Sequence, residues 1–208
     1  MFSKKLFAFA FLSITAFAAD IPGGLSRTSE GLPNNTYELL LAPSYTFKPS
    51  GAFLSAEIRY QPNEDFGAGV GFGAGEIGAN FGINGTWYVL PDLGDQPAFS
   101  VLGGLFLNRL KRETEDVTES YFNVRVAPMV SKKFGTSWGK VTPYAGLHMT
   151  PSFRLATPDN RFSMKTALGA QLDIKALNGL LVFTEFDFGL VESVHQFSVA
   201  VSYPFVAL

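Results

Sequence analysis

Apolar and polar residues alternate along most of the chain. In residues 66–75 every even position is apolar and every odd position is glycine. A period of two is typical of a β-strand, in which successive side chains point to opposite faces. The alternation continues through residues 79–90, where Phe81 and Ile83 share one face and Asn80 lies on the other. Both segments are therefore predicted to be strands.

The same stretch contains a possible nucleotide-binding motif. Residues 73–78, GAGEIG, fit the spacing G-x-G-x-x-G. In a dinucleotide-binding fold these glycines join a strand to a helix, whose N-terminus receives the pyrophosphate. Here no helical period follows, because the alternation resumes at residue 79. The pattern favours a glycine-rich strand over a nucleotide site.

Similar alternation predicts ten strands in all. They cover residues 35–47, 52–61, 66–75, 79–90, 99–108, 122–131, 141–151, 162–174, 180–188 and 194–205. Strands of soluble sandwiches average about five or six residues, whereas a tilted membrane-spanning strand needs about nine to eleven. The lengths therefore predict an all-β fold, a closed antiparallel transmembrane β-barrel. Ten strands are preferred, and eight are possible if residues 66–90 bend instead of forming a hairpin.

The connections and the aromatic residues fit this topology. With the N-terminus in the periplasm, the two longest connections, residues 109–119 and 152–161, are extracellular, as transmembrane barrels prefer. Outward aromatic residues should then form two girdles. The periplasmic rim would hold Tyr37, Tyr60, Phe66, Trp87, Phe99, Tyr203 and Phe205, and the outer rim Phe47, Phe72, Phe122, Phe162 and Phe188.

The N-terminus has the features of a secretory signal peptide. Lys4 and Lys5 precede an apolar stretch, residues 6–17, that is too short to span a bilayer as a helix. Ala16-Phe17-Ala18 then supplies an A-x-A cleavage signal. We predict a signal peptide over residues 1–18, a flexible periplasmic segment over 19–34 and an outer-membrane β-barrel over 35–208.

Composition narrows the classes of function. The chain has no cysteine, which excludes disulfides and thiol catalysis, and its formal net charge of −2 supplies no basic face for nucleic acid. Past residue 18, no stretch approaches the roughly 18 uncharged apolar residues of a transmembrane helix. We predict neither a cofactor nor a metal site.

The signal peptide, the alternating strands and the aromatic-ended last strand, HQFSVAVSYPF at residues 195–205, carry a family resemblance. The chain resembles the small outer-membrane β-barrels related to OmpX, OmpW and the membrane domain of OmpA. The resemblance implies a monomer surrounded by outer-membrane lipids. Those relatives usually have eight strands and end on the aromatic residue, whereas here residues 206–208 follow Phe205.

Charged side chains on the inward face are the candidate functional residues. The alternation within each strand predicts that six charged side chains point into the lumen: Glu57, Arg59, Arg125, Lys165, Glu185 and Asp187. They could form a salt-bridged network that fills the interior, or line a water-filled passage. The five glycines of 66–75 could leave space there or accommodate a bulky side chain. We expect a narrow passive pore for small hydrophilic solutes. The alternative is a plugged barrel with a structural or surface-binding role.

An outer-membrane enzyme is a less favoured alternative. Omptin-like proteases and lipid-A-modifying barrels place a histidine near the extracellular rim, beside aspartate or serine. This chain has two histidines, His148 facing inward and His195 facing outward, with Asp159, Glu192 and Ser193 in nearby loops. The predicted strands of the two histidines are not neighbours. We therefore expect no enzymatic activity.

Overall fold

The computed structural model describes residues 28–47, 49–111, 118–156, 158 and 160–206. The predicted signal peptide, Asp159 and the middle of the 109–119 connection lie outside the described residues. Over the described part of the chain, no helix is long and apolar enough to cross a membrane.

Ten long strands form a single antiparallel sheet. The strands are β1 (Thr36–Phe47), β2 (Ser50–Gln61), β3 (Phe66–Gly75), β4 (Gly78–Leu90), β5 (Ala98–Lys111), β6 (Thr118–Ser131), β8 (Gly139–Arg154), β9 (Asn160–Ile174), β10 (Leu181–Val191) and β11 (Gln196–Val206). A two-residue strand, β7 (Phe134–Gly135), pairs with β8. A 3-10 turn, Lys175–Leu177, follows β9.

The sheet closes on itself as a barrel. Strands β1 to β6 pair in order, β8 to β11 pair in order, and β1 pairs with β11. The pairing of β6 with β8 completes the ring. Closure leaves none of the ten long strands at an edge, so each of them has a hydrogen-bonding neighbour on both sides, as hydrocarbon requires.

The prediction of ten strands is confirmed. Residues 66–90 do not bend away from the sheet but form the full hairpin β3–β4, which is paired from Phe66 with Trp87 to Gly75 with Gly78. This hairpin rules out the eight-stranded alternative. Strands of ten to sixteen residues also match the membrane-spanning length inferred from the sequence.

The outside of the barrel is apolar and exposed. Phe72 and Ile83, for example, are 63% and 52% exposed in mid-strand. Aromatic rings meet near the strand ends, where Tyr37 stacks on Tyr60 and on Phe205 with centroids 4.7 Å and 5.8 Å apart. An outward apolar face on strands of this length is the surface that a barrel presents to lipid.

The two ends of the barrel are distinguished by their connections. We call the end with residues 62–65, 91–97, 132–138 and 175–180 the N-terminal mouth, because β1 begins there, and the opposite end the far mouth. The N-terminal mouth is the one predicted to face the periplasm.

An apolar cluster lies in the interior on the side of the N-terminal mouth. We call it the septum; its members are Leu40, Ala42, Leu102, Ala127, Met129, Tyr144, Leu181, Phe183 and Ala200. They come from β1, β5, β6, β8, β10 and β11, which lie on opposite walls of the ring. Because members on facing walls of the ring are all buried, the septum fills this level of the lumen.

Candidate functional site

The six predicted lumen residues are all buried inside the barrel. Their exposures lie between 1% and 6%, for Glu57, Arg59, Arg125, Lys165, Glu185 and Asp187. The alternation of each strand places them inward, opposite exposed apolar neighbours. Their inward orientation therefore follows the sequence parity, but side chains this deeply covered are not in contact with a wide water column.

Lys165 and Asp187 form a buried ion pair. Lys165 Nζ donates to Asp187 Oδ2 at 2.8 Å, and both side chains are 2% exposed. The two residues lie on the neighbouring strands β9 and β10. Charges removed from water in this way need a close partner, because the cost of desolvating an unpaired ion is several kcal/mol.

Arg59 is held by a second polar network on the opposite wall. Its guanidinium donates to Thr86 Oγ1 at 2.8 Å and to the Tyr88 hydroxyl at 3.4 Å, and Nε lies 3.5 Å from Glu57 Oε1. These partners come from β2 and β4, on either side of the glycine strand β3.

The glycines of β3 make room for these side chains. A Cβ built on Gly69 would lie 2.8 Å from Arg59 Cγ and 2.9 Å from Glu57 Oε1. One built on Gly73 would lie 2.7 Å from Phe53 Cζ. The space beside β3 is therefore filled by side chains of the neighbouring strand β2, and it is not open to solvent.

Arg125 packs on an aromatic ring. Its guanidinium carbon lies 4.6 Å from the centroid of Phe106, a cation–π contact. The ring in turn covers Gly104 and Gly82, where an added Cβ would lie 2.6 Å and 2.7 Å from ring carbons. Paired glycine and phenylalanine thus fill this part of the lumen.

Polar residues outside the predicted set also fill the interior. Near the far mouth, Arg154 Nη2 donates to Glu119 Oε1 at 2.7 Å, and the Tyr121 hydroxyl donates to Glu119 Oε2 at 2.6 Å. Near the N-terminal mouth, Ser202 Oγ donates to the buried Glu38 carboxylate. The alternation of Glu38 with the outward Tyr37 and Leu39 is a signal that could have identified it as an inward residue. Glu119 lies in the connection predicted over residues 109–119, so the pattern provides no such signal for it.

The cavities in the interior are small. One of about 60 Å³ lies at the N-terminal mouth, between residues 28–32 and the septum. Another of about 10 Å³ lies beside Glu57 and Phe106. Ligand pockets for small molecules usually measure about 300–1,000 Å³. The larger cavity has room for a few water molecules and the smaller for one at most.

The two histidines occupy separate places. His148 is buried on β8, and His195 lies in the connection before β11, with β9 and β10 between them in the sheet. His195 Nδ1 accepts a hydrogen bond from the Gly189 amide at 3.3 Å, so this nitrogen is engaged by backbone and not by Ser193. Within the described ranges, no group of three or more potential metal ligands occurs.

An ion pair ties two connections together at the N-terminal mouth. Lys132 Nζ lies 2.5 Å from Asp92 Oδ1, and the Lys133 amide donates to Asp92 Oδ2 at 2.7 Å. The hydrogen bond from Lys132 is the main reason that the pKa of Asp92 lies below its ordinary value of 3.8. The ionised carboxylate of Asp92 therefore links the connection of residues 91–97 to that of residues 132–138.

A closed ring of membrane-length strands with an apolar outside and a polar inside defines a small outer-membrane β-barrel, and the outer membrane is its location. No protein-family model matches the sequence, and no curated protein matches it significantly.

The chain is similar to several solved structures at low identity. The β domain of the Bordetella autotransporter BrkA is 11% identical, with a TM-score of 0.49, and the alignment covers 82% of this chain and 98% of that one. A de novo designed transmembrane β-barrel is 13% identical, with a TM-score of 0.41 and coverage of 85% and 99%. Neisserial surface protein A is 12% identical, with a TM-score of 0.30 and coverage of 82% and 95%.

Proposed function

We propose that the protein is a closed, non-conducting and non-enzymatic outer-membrane barrel, a monomer that acts as a structural or surface-binding element. The observation that carries this proposal is the filled lumen. The apolar side chains of the septum are buried on facing walls of the ring, and the six charged residues are nearly inaccessible to water. A passage for hydrophilic solutes needs polar groups in contact with continuous water.

The charged residues have a structural task in such a barrel. Lys165 neutralises Asp187, and Arg59 joins β2 to β4 across the glycine strand. Buried polar groups with partners hold the strands in one arrangement, whereas unpaired ones would destabilise it. The lumen in this proposal is a polar core enclosed by the sheet.

A narrow passive pore is the second candidate function. The charges of both signs in the interior, among them Arg125 and Glu185, favour it. For conduction the septum would have to rearrange, because its apolar side chains are buried and not in contact with water. The solutes would then be small and hydrophilic.

Conductance across a planar lipid bilayer separates the two functions. The closed barrel predicts no stepwise current from refolded protein at high concentration. Stepwise current that changes in size or ion selectivity with Arg125→Ala would overturn the proposal in favour of the pore. Arg109→Ala is the matched control, because Arg109 is an exposed arginine on β5 outside the lumen.

A further inference from the structure

Residues 28–32, which we call the strap, lie across the N-terminal mouth. Thr28 and Ser29 are 3% and 1% exposed although they precede the first strand of the barrel. Polar residues in a terminal segment are ordinarily solvated. Their burial shows that this segment enters the barrel opening.

One side of the mouth holds the strap by polar contacts. The Ser29 amide donates to Ser131 Oγ at 2.9 Å, at the end of β6. Thr28 Oγ1 donates to Gln171 Oε1 at 3.2 Å, on β9. The Glu30 carboxylate lies 2.7 Å from Lys133 Nζ, in the connection after β6.

The other end of the strap rests on the opposite wall. A Cβ built on Gly31 would lie 3.0 Å from Gln61 Nε2 and 3.3 Å from Tyr88 Cε2, so Gly31 packs against β2 and β4. In the ring order these strands flank β3, which is the strand opposite β9. The strap therefore crosses the full width of the mouth.

Below the strap is the cavity of about 60 Å³. Its walls include Glu38 and Arg59, and its floor includes Leu181 and Phe183 of the septum. We call this cavity the vestibule; strap residues line it on one side and two septum residues line it on the other.

We infer that the strap is a detachable closure that controls access to this vestibule from the N-terminal mouth. Two neutral hydrogen bonds and a partly exposed ion pair are individually weak. A segment held by so few contacts opens without unfolding of the sheet, which has its own ladder of pairings. The inference rests on the proposed closed barrel, in which opening the strap exposes the vestibule but not a channel.

Thiol labelling tests the strap, because the chain has no cysteine of its own. Leu181→Cys places a reporter thiol in the vestibule. In folded protein in detergent micelles, we expect a charged, bulky maleimide to react slowly with this thiol. The anchor variant adds Ser131→Ala, which removes the acceptor of the Ser29 amide, and Lys133→Glu, which repels Glu30. It should raise the labelling rate at least ten-fold.

Lys140→Glu is the matched control. It makes the same charge reversal at an exposed lysine near the same mouth, where the partner is Asp173 at 3.8 Å and not the strap. The labelling rate should stay within two-fold of that of the reporter alone. Equal rates in the anchor variant and the control would overturn the inference.

A cross-linking pair provides a second measurement that does not depend on weakening the barrel. Ser29→Cys with Ser131→Cys should form a disulfide under mild oxidation, because the two residues are in contact. Ser29→Cys with Ser163→Cys should not, since Ser163 lies on β9 towards the far mouth. Equal cross-linking of the two pairs would contradict the strap position.

Conductance of the anchor variant distinguishes failure of this inference from failure of the proposed function. Fast labelling without current supports both the strap and the closed lumen. Fast labelling with stepwise current supports the strap and overturns the closed lumen. Slow labelling overturns the strap whatever the current.

Discussion

Charged residues buried in the lumen are positions at which a single substitution should strongly affect stability. Lys165 and Asp187 contact each other at 2.8 Å with almost no exposure to solvent. Breaking such a pair by removing one partner leaves an uncompensated charge in a place that water does not reach. Most of the loss in the free energy of unfolding then comes from the unpaired charge that remains, and less from the lost attraction.

Lys165→Met should therefore reduce the free energy of unfolding by about 3–5 kcal/mol. Adding Asp187→Asn removes the stranded carboxylate and should restore more than half of that loss. Urea unfolding of each variant in lipid vesicles measures the effect, as a double-mutant cycle. If the double variant is as unstable as Lys165→Met, the two residues are not coupled as the structure indicates.

Glycine positions on β3 provide a second test at the scale of residues. Gly73→Ala should destabilise the barrel by about 1–3 kcal/mol, because the new methyl group would collide with the Phe53 ring. Phe53→Leu in the same chain should recover part of the loss. Gly135→Ala is the control, since nothing lies within 4 Å of its added Cβ. Unchanged stability of Gly73→Ala would mean that this part of the lumen is open.

At the scale of elements, the connections at the N-terminal mouth are joined by side chains as well as by strands. Asp92 links residues 91–97 to residues 132–138 through Lys132 and the Lys133 amide. The folded state lowers the pKa of Asp92 below 3.8. The contribution of Asp92 to stability is thus present above the carboxyl pKa of the unfolded chain, about 3.9, and is lost as the pH falls through the lower folded value.

Asp92→Asn should consequently lower the urea midpoint at pH 6, where the native carboxylate is ionised. The difference between the native chain and Asp92→Asn should shrink as the pH falls below about 3.8. Unfolding curves at a series of pH values measure both. Asp95→Asn is a suitable control in the same connection. A difference that stays constant down to the lowest pH would contradict the linkage to this carboxyl group.

At the scale of the whole molecule, the exterior determines where the barrel resides. Outward residues on all ten long strands are mostly apolar, and aromatic contacts join neighbouring strands near both ends, as between Tyr37 and Phe205 or Phe122 and Phe153. In water this surface would aggregate. In a bilayer it meets hydrocarbon, and closure of the ring leaves none of the ten long strands at an edge.

A charge placed on this exterior should cost stability according to its depth. Ile83→Arg, in the middle of β4, should destabilise the barrel in lipid by about 2–4 kcal/mol, whereas Leu93→Arg, in a connection, should cost about 0–1 kcal/mol. Unfolding in lipid vesicles gives both values. Equal losses at the two sites, or a native chain that stays monomeric in water without detergent, would contradict the lipid-facing assignment.

Strand positions and faces could be predicted from the sequence because the two-residue period is a local property of the backbone. All ten long strands lie within a few residues of their predicted ranges. The inward side of Arg125 or Glu185 follows from its parity alone. The alternatives that the pattern left open, eight or ten strands and an open or filled lumen, both concern contacts between residues far apart in the chain.

Which side chains contact each other inside the lumen could be learned only from the tertiary structure. Glu119 meets Arg154 across the β6–β8 seam, and Phe106 lies under Arg125 from the neighbouring strand. From the sequence, the β3 glycines could leave empty space or accommodate a side chain from another strand. In the structure, the side chains of Arg59 and Phe53 fill that space. No local pattern encodes how far a side chain reaches into an enclosed volume.

The sequence by itself determined a transmembrane barrel with charges turned inward, because alternation and strand length are read one strand at a time. The septum and the strap were decided by the tertiary structure, because each unites residues from opposite walls of the closed ring. The interior is a channel or a packed core according to whether the inward side chains fill the width of the ring. That width is set by the number and tilt of the strands and is defined only when the ring has closed.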